Sequence, residues 1–308
     1  MKRVNRFTAS DHLRHAADPP GRTRDSLFWQ TVFGPQRLGF QTYLYLTSEG
    51  KAGLNVVLWG EGKPMCFDRV EGETPASMDL DDFRLDGLSL SCATFGGPAR
   101  LSYDSQKVSF DFTFEGRHAP FSYHDNPDGL PAWFAQNRYE QGGTVRGWIQ
   151  TPDVRLDFDQ PGHRDQSWGN RNWGMPQHWK WFCAYTPDGS VTLNGWIWMA
   201  RGEMGCAGFV CREGLMVPVA TIQQHATYDE AMGQQRLNAV LIDVDGGRTA
   251  VVLERFGLVK LPTRDKLGTI LQEAACVGEI DGRPAVGQFE THWHQAYIDH
   301  LSHTHSTS

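Results

Sequence analysis

An all-β chain made of two antiparallel barrel or sandwich halves, with few short helices, is what this sequence predicts. Three observations predict it: period-two alternation of apolar and polar residues, Gly-bearing tight-turn signals between the alternating runs, and an almost complete lack of amphipathic helical stretches. Taken in order, alternation marks strands over Gly39 to Thr47, Ala52 to Trp59, Val108 to Glu115, Thr144 to Gln150, Val154 to Phe158, Leu237 to Val244 and Thr249 to Phe256. The clearest is the third, where Val108, Phe110, Phe112 and Phe114 point one way and Ser109, Asp111, Thr113 and Glu115 the other. Pro187-Asp188-Gly189, Asp245-Gly246-Gly247 and Asp281-Gly282-Arg283 carry the Gly that tight hairpins demand, so hairpins connect the strands. Short helices are expected only near Pro131 to Tyr139 and at Ala296 to Leu301.

The chain has 308 residues, a comfortable length for two domains, and 40% hydrophobic with 21% charged residues supply a core for each. The expected division is an N-terminal arm over residues 1–24, one domain over 25–150 and a second over 151–308. A net charge of -7 without any Lys or Arg stripe argues against nucleic acid as a partner. Six cysteines without a CxxC pair suit reduced thiols and a cytoplasmic location. Met1 to Arg24 lacks the apolar core of a secretion signal, and no later run suggests membrane insertion. The oligomeric state is left open, a homodimer included.

One stretch stands apart: Pro161-Gly162-His163-Arg164-Asp165-Gln166-Ser167-Trp168-Gly169-Asn170-Arg171-Asn172-Trp173-Gly174, followed by His178, Trp179 and Trp181. If Gly162 to Trp168 is extended, Arg164, Gln166 and Trp168 share one face while His163, Asp165 and Ser167 share the other, and the two faces meet different environments. This segment resembles the core motif of the AttH-like and carotenoid hydratase families and the related tocopherol cyclases, which reads Gly-x-Arg-Asp-His-Ser-Trp-Gly-x-Arg. Gly162, Arg164, Asp165, Ser167, Trp168, Gly169 and Arg171 match it. The resemblance extends to Arg138-Tyr139-Glu140-Gln141 ahead of Gly147 and to the stretch from Trp29 to Phe33. It implies a tandem lipocalin-like fold and, as in the characterised enzymes, cofactor-free addition, elimination or cyclisation on an apolar substrate. The chain departs from the motif at Gln166, where the families usually have His, and an amide does not exchange protons near neutral pH.

The expected function is therefore a lyase or hydratase that adds or eliminates a small neutral molecule, such as water or formaldehyde, on an apolar isoprenoid or aromatic substrate. A carrier of a hydrophobic small molecule is the alternative, since it needs the same cavity without proton-transfer groups. Asp165 is the candidate acid or base, its pKa set by burial against the charge of a neighbouring Arg. His178 is the nearest downstream imidazole that could replace the missing His, and Tyr139 and Glu140 are further candidates. Arg164 and Arg171 would orient or stabilise charge, or else pack across a Trp as structural elements. Trp168, Trp173, Trp179, Trp181 and Trp196 would line the cavity, although two-residue spacing fits an ordinary core face equally well.

A hydrolase built on His163, Asp165 and Ser167 is disfavoured, because same-face neighbours on a strand stand about 7 Å apart. His292 and His294, with His300, His303 and His305 beyond, suit a metal in spacing but lack a fixed set of further ligands, so no metal is expected. Neither a GxGxxG nor a Walker pattern is present, and no cofactor is called for.

Overall fold

A computed structural model of the chain describes residues 7–15, 23–62, 64–75, 77–172, 174–263 and 267–305. Eleven strands form a first sheet: β1 Arg24–Phe33, β2 Leu38–Thr47, β3 Lys51–Gly60, β4 Pro64–Glu73, β5 Asp82–Leu85, β6 Leu88–Ser91, β7 Ala99–Asp104, β8 Ser109–Gly116, β9 Phe121–Ser122, β10 Asn137–Gln150 and β11 Arg155–Gly169. Eight more close into an antiparallel barrel: β12 Pro176–Tyr185, β13 Val191–Ala200, β14 Glu203–Arg212, β15 Leu215–Tyr228, β16 Gln234–Asp243, β17 Arg248–Pro262, β18 Thr269–Ile280 and β19 Arg283–His294. The expected all-β class is what the chain adopts. Among the described residues one α-helix, α1 Gln295–His305, follows where Ala296 to Leu301 suggested it, and a single 3-10 turn spans Tyr123–Asp125, whereas Pro131 to Tyr139 contains no helix and runs into β10.

The first sheet follows the order β4-β3-β2-β1-β11-β10-β8-β7-β6-β5, with β9 added beside β10. It curls until its two ends meet, Gly72 on β4 lying directly against Leu85 on β5. Phe40, Leu54, Phe83, Leu101, Phe110 and Phe112 fill the inside. Phe182, Leu193, Leu237, Leu253 and Phe289 form a separate buried cluster in the barrel. Both interiors are occupied by side chains, so room for a ligand has to be sought elsewhere.

The boundary expected near residues 150–152 cuts the first sheet. β11 pairs along its length with β10 and, from His163 to Gly169, with β1, so the chain changes sheets between Gly169 and Pro176. Pro161-Gly162 looks locally like a break, but two features let it sit inside a strand. The ladder with β1 ends at His163, so the missing Pro161 N–H is not needed there. A Cβ at Gly162 would lie 2.7 Å from the Gln30 carbonyl oxygen and press on Val145, so only Gly admits the close approach of β1 and β10.

The two units pack β-face against β-face. Gln288 Nε2 donates to Gln41 Oε1 (2.8 Å), and the Val32 backbone N–H donates to the Tyr185 hydroxyl (2.8 Å). The segment between β8 and β10 lies over the outer barrel wall, where Phe121, Tyr123 and Phe134 meet Trp179, Trp196 and Phe209. No helix among the described residues is long and apolar enough to cross a membrane.

Candidate functional site between the two units

The residues of the site are laid out by strand register. On β2, β1, β11 and β10, the row Tyr43, Phe28, Asp165 and Glu140 consists of mutually paired positions, with Ser26, Ser167 and Arg138 in the row beside it. The facing wall carries a second row across β13, β12, β19 and β18, namely Trp196, Trp181, Glu290 and Glu273. A cavity of about 550 Å³ opens between these two faces, a size suited to a small organic ligand. Phe28, Phe134, Trp179, Trp181 and Trp196 give it apolar walls, and Arg138, Asp165, Ser167, Arg171, Glu273 and Glu290 are among its polar groups.

Arg138 organises one end. Its Nε donates to Glu140 Oε1 (2.6 Å) and its Nη2 to Asp165 Oδ2 (2.9 Å). His163 Nε2 stands 2.7 Å from Glu140 Oε2, and the Trp181 indole N–H donates to Glu140 Oε1 (3.2 Å). Burial alone would raise the Glu140 pKa, but the Arg138 charge and the His163 hydrogen bond outweigh it and bring the value below the ordinary one. Asp165 goes the other way. Burial, joined by the negative charges of Glu140 and Glu290, exceeds the pull of Arg138 and Arg171 and lifts it to about 8. Two carboxyl groups on neighbouring strands are thus driven apart, one ionised and one holding its proton at neutral pH.

On the facing wall, Glu273 and Glu290 are cross-strand partners that hydrogen-bond to one another. The Trp179 indole N–H donates to Glu290 Oε1 (2.5 Å), and Gln288 Nε2 donates to Glu273 Oε2 (2.6 Å). Burial and the charge of Glu290 raise Glu273 well above the usual carboxylate range, and burial raises Glu290 too, against the hydrogen bonds from Glu273 and Trp179, so Glu273 is the member of the pair that holds its proton more firmly. Arg171 donates from Nη2 to Ser167 Oγ (2.5 Å), and burial together with the charges of Arg24 and Arg138 lowers it to about 10.

Of the residues singled out in the sequence, Asp165, Arg171, Trp179, Trp181 and Trp196 line the cavity, and Glu140 sits directly behind it, bonded to Arg138. Arg164, Tyr139 and Trp168 do not line it: the alternation of β10 and β11 turns them to the opposite face of the first sheet. There Arg164 donates to Gln141 Oε1 (2.8 Å) and the Gly97 carbonyl (2.9 Å), with its guanidinium 4.7 Å from the Phe114 ring centre. The Tyr139 hydroxyl donates to Gln166 (3.2 Å), and burial pushes its pKa up to about 12. Trp168 stacks on His15 of the N-terminal arm at 4.1 Å. Gly169, the next motif position, has φ +117°, and a Cβ there would strike Gln136 at 2.6 Å.

His178 also misses the cavity, because it alternates with Trp179 and Trp181 and so faces the other way. It stacks on Trp293 at 4.0 Å, and its Nδ1–H donates to the His292 carbonyl (2.7 Å). Burial and the nearby Lys180 lower it to about 3, so it carries no exchangeable charge near neutral pH. Trp173 lies outside the described residues, as do the side chains of His303 and His305. His292 packs its ring on Trp179 (4.1 Å), and His294 Nε2–H donates to the Pro176 carbonyl (3.1 Å). Among the described residues no three His, Cys, Asp or Glu side chains are arranged to hold a metal ion.

Arg138 was within reach of the sequence, since Arg138 and Glu140 share a face that Tyr139 cannot. Glu273, directly ahead of the apolar run Ala274 to Cys276, was a weaker signal. Tyr43, Ser26 and Phe28 carried none, because their role depends on β1, with β2 beside it, pairing with β11 more than a hundred residues away.

A family model described as Domain of unknown function (DUF7064) matches residues 8–295. No curated protein matches the chain in sequence. Among solved structures, it is similar to a protein provisionally named AttH from Nitrosomonas europaea, with 16% identity, 90% of this chain and 96% of that one covered, and a TM-score of 0.65. It is also similar to kievitone hydratase from Nectria haematococca (11% identity, 90% of each chain, TM-score 0.57) and to CghA in complex with Sch210972 (12% identity, 89% and 88%, TM-score 0.54). At these identities the likeness speaks for the fold, which is the tandem lipocalin-like arrangement that the Arg-Asp motif implied.

Proposed function

This chain belongs to the DUF7064 family, and we propose that the cavity between its two units is an active site for acid–base addition or elimination of a small neutral molecule, such as water, on an apolar substrate. The observation that carries this reading is Asp165: a buried carboxyl facing aromatic walls, with a pKa near 8, beside a Glu140 that stays ionised. A hydratase among the proteins of similar fold supports it.

In the elimination direction, Asp165 gives its proton to the leaving hydroxyl as the C–O bond breaks and the electron pair departs with water. Glu290, acting in its carboxylate form, which the hydrogen bonds of Glu273 and Trp179 favour against the upward pull of burial, accepts the proton from the adjacent carbon, and that C–H electron pair becomes the new double bond. Arg138 holds Asp165 in place, and together with the charge of Arg171 it stabilises the carboxylate left behind. The Trp179, Trp181 and Trp196 faces exclude water and favour developing positive charge on the substrate. The reverse sequence is hydration.

The test is to incubate the protein with a panel of isoprenoid and aromatic alkenes and alcohols in water enriched in heavy oxygen, and to follow label uptake by mass spectrometry. For a compound that turns over, Asp165→Asn is expected to lose about 100-fold or more in kcat. Unchanged turnover in that variant would remove Asp165 from the chemistry. A panel compound that co-purifies with the protein and is recovered intact would point instead to a carrier.

A further inference from the structure

At one end of the cavity stands an arginine that the acid–base reading leaves without a task. Arg24, the first residue of β1, lines the cavity, and its Nε is buried with no hydrogen-bond partner. It forms no ion pair with any carboxylate among the described residues, and its guanidinium lies over two rings, 4.2 Å from the Tyr45 centre and 5.5 Å from that of Tyr43. Arg24 is only partly buried, but an N–H withdrawn from water as its Nε is costs stability unless something accepts its hydrogen bond.

The acidic groups lining the cavity are engaged elsewhere. Glu71 pairs with Arg69 and accepts from the Tyr45 hydroxyl (2.7 Å), and Asp165 accepts from Arg138. Glu290 and Glu273 hold each other on the opposite wall. Beside Arg24 stand two hydroxyls, Ser26 Oγ and that of Tyr43, which hydrogen-bond to one another (3.0 Å), so that one of the two keeps a hydrogen to donate onward. The field here is positive: although burial alone would raise the Tyr43 phenol, the charges of Arg24 and Arg171 bring it below its usual pKa.

We propose that Arg24, with the Ser26 and Tyr43 hydroxyls, is a carboxylate-recognition subsite, so that the ligand of this cavity is an apolar acid. The planar guanidinium edge matches a two-oxygen planar anion of single charge, whereas Arg24 alone would meet the larger charge of a phosphate only in part. Register sets the spacing. Ser26 lies one two-residue step along β1 from Phe28, which pairs with Asp165, so the acid group binds about 7 Å along the sheet from the proton donor. The substrate is then held by its carboxylate at Arg24, with its reacting carbon a few bonds away beside Asp165 and its apolar body against Trp181 and Trp196.

The inference rests on the cavity being a ligand site, and a matched pair of probes separates the two ideas. Naphthalene-2-acetate and 2-(2-naphthyl)ethanol share an aromatic body and differ in charge, and their binding to the full chain is read by quenching of tryptophan fluorescence. The acid is expected to bind roughly tenfold or more tightly than the alcohol at neutral pH, an advantage that shrinks with added salt. Arg24→Gln is expected to remove that advantage while leaving alcohol binding within about twofold, and Arg24→Lys to restore part of it. Equal affinities for the two probes in the unmodified protein, or an acid affinity untouched by Arg24→Gln, overturn the subsite and leave the cavity reading standing. Binding of neither probe at millimolar concentration overturns both. The acid-to-alcohol ratio of the unmodified protein decides the matter even if the variants fail to fold.

Discussion

The two faces of β11 carry the same kinds of residue to different ends. On one, Arg164 is clamped by Gln141 and the Gly97 carbonyl against Phe114, and Trp168 is stacked under the N-terminal arm. On the other, Asp165 meets Arg138 at the edge of a cavity and His163 meets Glu140. The first face satisfies its charge with neutral acceptors and rings; the second sets charges against one another where a ligand can enter. A motif conspicuous for its Arg-Asp dipeptide is thus two devices back to back, one holding the first sheet together and one poised for chemistry.

The comparison breaks most visibly at Glu140. Glu140→Gln leaves Arg138 and His163 without their shared carboxylate in a site where Glu140 has no exposed surface, and about 3–5 kcal/mol of stability is expected to be lost in denaturant unfolding. A loss below about 1 kcal/mol would mean that the charges on this face are not interdependent.

Asp165 is expected to respond in the opposite sense. Its pKa near 8 lies above the unfolded value, so the folded chain keeps a proton that the unfolded chain releases as pH rises between the two. The stability this proton contributes is fully present below about pH 4 and is lost as pH rises through about 8. Asp165→Asn should flatten that slope and leave the variant more stable than the unmodified protein at alkaline pH, by on the order of 2–3 kcal/mol. Parallel pH profiles of thermal unfolding for the two proteins would show that Asp165 is ionised throughout.

The other face sharpens the contrast. Arg164→Ala removes two hydrogen bonds and a ring contact from the first sheet and is expected to cost about 2 kcal/mol. Binding of naphthyl probes in the cavity should stay within about twofold, since the residue does not reach it. A large change in probe affinity with unchanged stability would reverse the assignment of the two faces.

Much of this was legible from local pattern. Period-two alternation separated Arg164, Gln166 and Trp168 from His163, Asp165 and Ser167, and the structure keeps that separation. The same rule applied to β10 would have placed Arg138 and Glu140 together and Tyr139 apart. What local pattern could not supply is the partner wall: that Glu290 stands opposite Asp165 follows from how two sheets pack, and Tyr43 reaches the site only through the register of β2 on β1. At Pro161-Gly162 local turn chemistry is overridden by a long ladder with β10 that runs through both residues.

His178 offers the smallest effect and the cleanest contrast with Asp165, since both are buried ionisable groups within one stretch of chain. Phe in its place keeps the stack on Trp293 and removes the buried Nε2, which has no hydrogen-bond partner, at the expense of one hydrogen bond to the His292 carbonyl. Those contributions oppose each other, so His178→Phe should change stability by less than about 1 kcal/mol. With its pKa near 3, the imidazole gains no charge between pH 5 and 8, and the variant should match the unmodified protein in the pH dependence of both unfolding and turnover across that window. A difference in either profile would mean that this ring takes up a proton where burial and Lys180 are expected to forbid it, and would return His178 to the acid–base chemistry.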